Sequence, residues 1–358
     1  AVSSSCSRLG PAFKKAITVI GKNCKKDALI LVETTVPPGT CQNIIKPLIY
    51  ECLNKRNLTT KHIKIGHSYE RVMPGPDYID SIQNFYRVYS GIDEKSADSV
   101  ESFLHTIIRT DEYPLTRLGN TNATEMAKVL ENSYRAMNIA FMVEWSRFAE
   151  EAGVNLYDVV NAIRLRPTHS NLMYPGIGVG GYCLTKDALL ASWARQNLIG
   201  ERQPLSQSES AININDQMPR FSFEYFQNIY PKLKGAKILF LGVSYRGDVG
   251  DTRYSPVEKL YNYFSAVGAI VTCHDPYVKY WDEKSLEIEQ DLNTHLSISP
   301  DIIIITTGHS IYKNKETIDS LYNLSKTFIY DTIGLLSNDQ INLLQKKHTI
   351  KVLGRGDL

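Results

Sequence analysis

The 358-residue sequence predicts an α/β protein in which two doubly wound units are joined by a long helix. Three observations support this class. Runs of Val, Ile and Leu, such as residues 28–32 and 237–242, have the length and composition of buried parallel strands. Helical patterns alternate with such runs towards both ends of the chain. Between them, apolar residues recur every three or four positions over residues 126–148, as in one long helix.

Composition excludes several classes of function. Apolar residues make up 43% of the chain and charged residues 22%, as in a globular protein. The net charge of +2 gives no reason to expect a nucleic acid or a membrane as a partner. The six cysteines lack C-x-x-C spacing, so we expect reduced thiols and a cytoplasmic protein. The histidines form no ligand-like cluster with cysteine, so no metal site is expected.

The first third of the chain predicts half of a doubly wound domain. Helices are predicted over residues 11–23, 41–52 and 94–108, and strands over residues 28–32, 62–66 and 86–91. Thr35 and Glu70 follow the first two strands, and open sheets of this kind bind ligands at the carboxyl ends of their strands. A simple strand-to-helix connection explains the first of these loops equally well.

The longest helix is predicted over residues 120–151. Its apolar stripe is expected to be buried against another helix or a partner subunit. A second line on the same helix contains Glu125, Lys128 and Asn132. A further helix is predicted over residues 153–166.

A glycine-rich segment at residues 176–181 leads to Cys183, Lys186 and Asp187. Without side chains, such a loop lets a ligand approach the backbone. A helix over residues 184–196 would place Cys183 at its N-terminus, which favours the thiolate, and would put the three polar residues on one face. The alternative is a buried, inert cysteine. A dinucleotide turn is rejected because no strand precedes the loop.

A second α/β unit follows a boundary near residues 231–235. A polar segment at residues 203–217 and a helix at residues 220–229 precede that boundary. The predicted domains are residues 1–118, 119–233 and 234–358. In the last domain we predict a helix over residues 256–266 and strands over residues 237–242, 269–273, 301–307, 327–331 and 349–353.

Five motifs occur in order, at residues 33–39, 70–75, 128–132, 183–187 and 245–256. In this order the chain resembles the UDP-sugar 6-dehydrogenase family. The resemblance implies two Rossmann-like domains, a central helical dimerisation region, NAD as cofactor, a UDP-sugar substrate and a homodimer. It also implies the four-electron oxidation of a sugar C6 hydroxyl to a uronic acid, for polysaccharide biosynthesis.

The resemblance assigns roles to individual residues. Cys183 would be the nucleophile that forms a thiohemiacetal and then a thioester. Lys128 and Asn132 would stabilise developing oxyanion charge. Asp187 would act in proton transfer, and Glu70 would assist hydrolysis of the thioester. The resemblance also implies contacts with NAD from Thr35, Lys186 and Arg253, and contacts with the sugar nucleotide from Tyr174, Gly176, Gly178, Gly180 and Arg246.

The branch of the family is set by small differences. Pro74 stands where the glucose enzymes usually have a second glutamate, which favours the UDP-N-acetylhexosamine branch. By contrast, the adjacent pair Lys186 and Asp187 resembles the UDP-glucose branch. Tyr182 also departs from the N-acetylhexosamine enzymes, which often have a histidine before the cysteine. Residues 332–334 lack the arginine found near this point in glucose enzymes. UDP-glucose therefore stays an alternative substrate, and the sequence does not choose one sugar.

Family members begin with a strand, a G-x-G-x-x-G turn and an acidic ribose ligand, none of which precedes Ala1. By analogy we expect roughly 80 to 100 residues to be absent, so the N-terminal domain is incomplete and normal NAD affinity is not expected. Two other functions stay open. A two-electron β-hydroxyacid or 6-phosphogluconate-type dehydrogenase would need neither Cys183 nor residues 235–358. A non-catalytic nucleotide-sugar-binding protein would not need the polar residues of the central motifs.

Overall fold

The computed structural model describes residues 10–72, 77–201 and 203–358, so the end of the motif at residues 70–75 lies outside the described residues. The chain forms two compact units. Of the described residues, unit one contains those up to 134 and those from 186 to 209, and unit two contains residues 135–185 and 210–358. Helix α5 (Thr121–Ala152) therefore contributes its first part to unit one and the rest to unit two.

Unit one is built on a sheet whose described strands follow the order β1-β2-β3-β4. β1 pairs with β2 and β3 with β4 in parallel, whereas β2 and β3 are antiparallel. The elements before α5 are α1 (Pro11–Asn23), β1 (Leu29–Val32), α2 (Lys46–Lys55), β2 (Lys64–His67), α3 (Tyr78–Gln83), β3 (Val88–Gly91), α4 (Glu94–Leu104) and β4 (Thr116–Arg117).

Local chemistry explains where these helices begin. Pro11 opens α1, where its missing N–H is not needed. The Asp93 carboxylate accepts a 2.8 Å hydrogen bond from the Ser96 amide and so caps α4. The core forms where the apolar faces of α1 and α2 cover β1 and β2, through residues such as Ile30, Ile49 and Ile65. This packing holds the carboxyl ends of β1 and β2, and the loops after them, in place.

Unit two is built on a parallel sheet with the order β11-β10-β9-β5-β6. The four isoleucines of β9 are fully buried, which explains why this strand reads as a continuous apolar run. Its elements after α5 are α6 (Leu156–Arg164), α8 (Ser206–Ile229), β5 (Lys237–Leu241), α9 (Pro256–Ala266), β6 (Ile270–His274), β7 (Tyr280–Trp281), β8 (Leu286–Glu287), α10 (Leu292–Ser297), β9 (Ile302–Ile305), α11 (Lys315–Asn323), β10 (Phe328–Asp331), α12 (Asn338–Gln345) and β11 (Thr349–Val352). Only residues from 210 onward in α8 belong to this unit.

Two differences from the predicted helices bear on the site. The polar segment at residues 203–217 was predicted to precede a helix, but α8 already begins at Ser206 and continues through Pro219. Its buried residues include Ala211, Asn215 and Met218, so packing of one face outweighs the polar composition. The helix predicted over residues 184–196 begins instead at Asp187, as α7 (Asp187–Ala194).

The α/β fold class with a long central helix is confirmed; the sheet of unit two is parallel, and that of unit one contains one antiparallel pair. The predicted domain boundaries stay a prediction. Within residues 10–72, 77–201 and 203–358, no helix is both long and apolar enough to cross a membrane.

Candidate active site

The Asp187 carboxylate is the centre of a polar cluster in unit one. Asp187 is fully buried at the first position of α7. Its Oδ2 accepts a 2.6 Å hydrogen bond from the Asn132 amide of α5. Its Oδ1 lies 3.1 Å from the Lys186 ammonium, which is itself mostly buried. A buried carboxylate needs such partners, and a charged donor on one side and a neutral donor on the other supply them.

Lys128 lies one turn before Asn132 on α5 and faces the loop after β2. Its ammonium donates a 3.2 Å hydrogen bond to the backbone oxygen of Glu70 and lies 5.4 Å from the centre of the Tyr69 ring. The Glu70 carboxylate accepts a 2.5 Å hydrogen bond from the Val72 amide. In unit one the structure thus brings together Lys128 and the Glu70 backbone, as well as Asn132 and Asp187.

Glu125, on the same line of α5, is fully buried. Its carboxylate accepts hydrogen bonds from the backbone amides of Gly39, at 2.6 Å, and Cys41, at 2.8 Å. Burial raises its pKa, although these amides act in the opposite direction. Glu125 therefore fastens the loop after β1, which contains Thr35, to the helix that carries Lys128. The role of Glu125 could have been suspected from its place in line with Lys128 and Asn132.

The loop after β1 contains the predicted cofactor residue Thr35, which is half-buried at the carboxyl end of the strand. At the end of the neighbouring strand, the hydroxyl of fully buried Ser68 has no hydrogen-bond partner among the described residues. Open parallel sheets hold dinucleotides at this edge, and hydroxyl groups are suitable ligands for a nicotinamide or ribose. The residues present therefore fit one part of an NAD site.

The glycine loop lies in unit two, and its glycines are explained largely by protein packing. A Cβ atom on Gly180 would lie 2.3 Å from Cβ of Tyr245, and one on Gly181 would lie 2.9 Å from the Tyr245 ring. Gly178 has φ of +141° and would contact Pro256 at 3.0 Å. Only at Gly176 is the space within 4 Å open. Packing by itself therefore requires glycine at positions 178, 180 and 181, and the approach of a ligand to this backbone stays a prediction.

Cys183 is exposed and lies in a run of turns, not at a helix N-terminus. Lys186, with φ of −139° and ψ of −24°, is not helical, and α7 starts only after it. Within unit two, the Thr185 hydroxyl donates a 2.9 Å hydrogen bond to the Gly181 oxygen and stabilises the preceding turn. The prediction that one helix face carries Cys183, Lys186 and Asp187 is therefore wrong.

Arg253 of unit two contacts both Asp251 and the glycine loop. The Arg253 guanidinium contacts Asp251 through two nitrogens, at 2.9 and 2.6 Å, and this hydrogen bonding raises the pKa of Arg253. The Gly181 amide donates to the Arg253 oxygen at 3.1 Å, which connects the glycine loop to the loop after β5.

The remaining predicted residues of unit two are Tyr174 and Arg246. The Tyr174 hydroxyl donates a 2.6 Å hydrogen bond to Asn161, and its ring stacks on Tyr157 with centroids 6.0 Å apart. Arg246 lies next to Tyr245 in the loop after β5 and is exposed. The contribution of Tyr245 was missed, because only its packing against Gly180 and Gly181 reveals it.

Family comparison is consistent with the order of the motifs. Three family models match, each described for the UDP-glucose/GDP-mannose dehydrogenase family: the NAD binding domain over residues 11–108, the central domain over residues 122–217 and the UDP binding domain over residues 239–338. The chain belongs to the UDP-glucose/GDP-mannose dehydrogenase family. The predictions of a dehydrogenase, of NAD as its cofactor and of a UDP-sugar as its substrate are confirmed.

Individual relatives point to one branch. The chain is 32% identical to UDP-N-acetyl-D-mannosamine dehydrogenase of Methanocaldococcus jannaschii over 96% of this chain and 74% of the relative. Among solved structures, UDP-D-ManNAc dehydrogenase from Pyrococcus horikoshii is 28% identical with a TM-score of 0.80, covering 97% of this chain and 78% of that one. NDP-N-acetyl-D-galactosaminuronic acid dehydrogenase from Methanosarcina mazei is 26% identical with a TM-score of 0.81, covering 97% and 74%.

Proposed function

We propose that the protein oxidises the C6 hydroxyl of a UDP-N-acetylhexosamine to the carboxylate. This choice of sugar rests on the substrates of the relatives that the chain resembles. Six relatives that align with at least 92% of the chain are UDP-N-acetyl-D-mannosamine dehydrogenases. Pro74 stands where the glucose enzymes usually have a second glutamate, which agrees with the N-acetylhexosamine branch. A UDP-glucose dehydrogenase from Pyrobaculum islandicum shares the fold at 20% identity, which supports no argument about substrate.

NAD, when bound, accepts a hydride in each of two oxidation steps. In the first step the C6 alcohol loses a hydride and a proton and becomes an aldehyde. The Lys128 ammonium of unit one would stabilise the alkoxide that precedes hydride loss. Its hydrogen bond to the Glu70 oxygen restricts the ammonium to one position, which favours such a role.

The Cys183 thiolate would then add to the aldehyde carbon, forming a C–S bond while the carbonyl oxygen takes up a proton. This thiohemiacetal loses a second hydride and its hydroxyl proton to give a thioester. Attack by water breaks the C–S bond, releases the carboxylate and restores the thiolate. Cys183 is exposed, so its sulfur can be reached by a substrate, which supports this proposal.

Asp187, Asn132 and Glu70 would serve proton transfer. Asp187 is held by two donors and would act as the base in proton transfer, or would orient that base. Asn132 would hold a water or an oxyanion beside it. Glu70 would assist the attack of water on the thioester. Thr35, Lys186 and Arg253 are proposed to contact NAD.

The sugar nucleotide is proposed to bind through the loops of unit two. Arg246 would pair with the diphosphate, since a guanidinium can donate two parallel hydrogen bonds to phosphate oxygens. Tyr174 and the glycine loop would contact the nucleotide sugar, with Gly176 as the glycine whose surroundings are open. Gly178 and Gly180 would contribute indirectly, because they let the backbone of the loop pass close to Pro256 and Tyr245.

A homodimer through α5 is the proposed assembly. The apolar stripe is exposed on the single chain at six positions: Met126, Leu130, Tyr134, Phe141, Trp145 and Phe148. Within unit two, a hollow of about 150 Å³ beside Phe141 and Trp145 is lined by apolar side chains, including Val159 and Ile163. An apolar surface of this extent is typical of a subunit interface, and a second copy supplies the same complementary stripe.

A test of the proposed function uses the purified protein with UDP-ManNAc, UDP-GlcNAc, UDP-GalNAc and UDP-glucose as separate substrates. NADH release is followed at 340 nm and the sugar product by mass spectrometry. We expect an N-acetylated sugar to give the highest kcat/KM and about two NADH per uronic acid. A preference for UDP-glucose would reject the N-acetylhexosamine assignment, and one NADH per sugar would favour a two-electron dehydrogenase.

A further inference from the structure

Unit two contains a buried cluster of Ser244, Asp275 and His309, which lie in the loops after β5, β6 and β9. Ser244 is 1% exposed, and Asp275 and His309 are fully buried. The His309 Nε2 atom lies 3.1 Å from the Asp275 carboxylate and 3.1 Å from the Ser244 hydroxyl. No motif of the sequence drew attention to these residues.

The residue types are those of a nucleophilic triad, but the geometry excludes that chemistry. In a triad, histidine contacts serine and aspartate through different ring nitrogens. Here one nitrogen of His309 faces both partners, and the Ser244 hydroxyl also donates to Asp275 at 2.9 Å. The Ser244 hydroxyl is already engaged by Asp275 and His309, so it is not available as a nucleophile. The cluster is therefore a set of structural hydrogen bonds.

The hydrogen bonds define the tautomer of His309. Its Nδ1 atom accepts a 2.9 Å hydrogen bond from the backbone amide of Asp248. A ring nitrogen that accepts carries no proton, so Nε2 carries it and donates to Asp275. One imidazole thus connects Asp275, after β6, with Asp248, in the loop after β5.

The same loop is fastened at two points. At its beginning, the Asp275 carboxylate accepts hydrogen bonds from the backbone amides of Val243, at 2.9 Å, and Ser244, at 3.1 Å. Although burial alone raises the pKa of Asp275, hydrogen bonds from His309 and from the Val243 amide hold it below its ordinary value. Further along, the Asp248 carboxylate accepts from both the amide and the hydroxyl of Ser310, each at 2.9 Å.

Tyr245 and Arg246 lie between these two points. Tyr245 packs against Gly180 and Gly181 of the glycine loop, so the path of the backbone after β5 also sets the position of that loop. We propose that His309, with Asp275, is a positioning residue that holds the segment carrying Arg246 for binding of the UDP diphosphate. The inference rests on the sugar-nucleotide site proposed above.

The test is calorimetric titration of the protein with UDP, which needs no turnover. His309→Phe keeps an aromatic ring but removes both hydrogen bonds, and we expect UDP affinity to fall at least roughly 10-fold. His309→Gln supplies an amide that can both accept and donate. We expect it to retain affinity to within roughly 3-fold, a rescue that simple loss of packing does not predict.

The matched control is His348→Phe. His348 is also buried, and its Nδ1 also accepts a backbone hydrogen bond, from Thr327 at 3.2 Å, but at the opposite end of the sheet. We expect His348→Phe to leave UDP affinity unchanged. Equal losses in the two Phe variants, or unchanged affinity in His309→Phe, would overturn the proposal.

Folding is checked by the melting temperature of each variant. If His309→Phe does not fold, the exposed Ser310→Ala, which removes one hydrogen bond to Asp248, takes its place. It should weaken UDP binding by roughly 3-fold, and unchanged affinity would contradict the proposal. Wild-type protein that fails to bind UDP would instead overturn the proposed sugar-nucleotide site.

Discussion

The Asn132 side-chain amide lies 2.6 Å from the buried carboxylate of Asp187, and the two residues are 55 positions apart in the chain. Asn132 is thereby engaged by a protein carboxylate, in addition to the oxyanion role that the family resemblance implies. A neutral donor can support a buried negative charge without competing with it for protons. The first prediction concerns this pair.

Asn132→Ala should lower kcat by roughly 10²-fold or more, because Asp187 loses a buried donor and the reaction loses an oxyanion donor. Asn132→Asp should be worse, since it places a second carboxylate beside a buried one. Steady-state kinetics with the best UDP-sugar measure both effects. Asn197→Ala, which alters an exposed amide near the end of the neighbouring helix, is the control and should retain full activity.

Cys183→Ser should abolish formation of the uronic acid while UDP-sugar affinity stays within roughly threefold of wild type. A serine hydroxyl is a far weaker nucleophile at neutral pH, so neither the thiohemiacetal nor the thioester forms. Product analysis by mass spectrometry and calorimetric titration separate the two effects. Cys24→Ser changes a half-buried thiol of unit one and should leave activity intact. Acid production by Cys183→Ser at the wild-type rate would exclude the thioester route.

One contribution to stability should fall as pH rises through the neutral range, because of a half-buried carboxylate in unit two. Burial raises the pKa of Glu150 from 4.5 to about 7, even though its carboxylate accepts a 2.8 Å hydrogen bond from the Gly354 amide. The folded state therefore binds more protons than the unfolded state between about pH 4.5 and 7. The stabilisation is present in full below that window and is lost as pH rises through it.

Glu150→Gln keeps an acceptor for Gly354 but removes the charge. We expect it to raise the melting temperature at pH 8 by roughly 2–4 °C, and to have little effect near pH 5. Thermal unfolding at the two pH values measures the difference. Glu151→Gln, which alters the exposed neighbour, should have no effect that depends on pH. An equal change from Glu150→Gln at both pH values would contradict the assigned cause.

Trp145→Glu should convert the proposed dimer to a monomer, since it introduces charge into the centre of the apolar stripe. Trp145 is exposed on the single chain and contacts Phe141 and Phe148, with ring centroids 5.9 Å from each. Analytical ultracentrifugation at micromolar concentration measures the mass. The control is Val19→Glu, on the exposed face of α1, which should not change the mass. A wild-type protein that is already monomeric would reject the dimer.

Sequence patterns located the strands and most helices because local periodicity reports which residues are buried. β9 and α1 are clear cases, one as four consecutive isoleucines and the other as a helix opened by proline. The pattern failed at α8, where polar residues lie in a helix held by its buried face. It also failed at Lys186, whose non-helical backbone delays the start of α7.

The sequence by itself determined the family, the cofactor and the class of substrate, because the order and spacing of five short motifs carry that information. It also singled out Lys128, Asn132 and Asp187. Only the tertiary structure decided what those residues contact, and that Gly180 accommodates Tyr245. It alone brought His309 to Asp275. Such contacts join residues that are distant in the chain, and packing of side chains, which local periodicity does not encode, selects them.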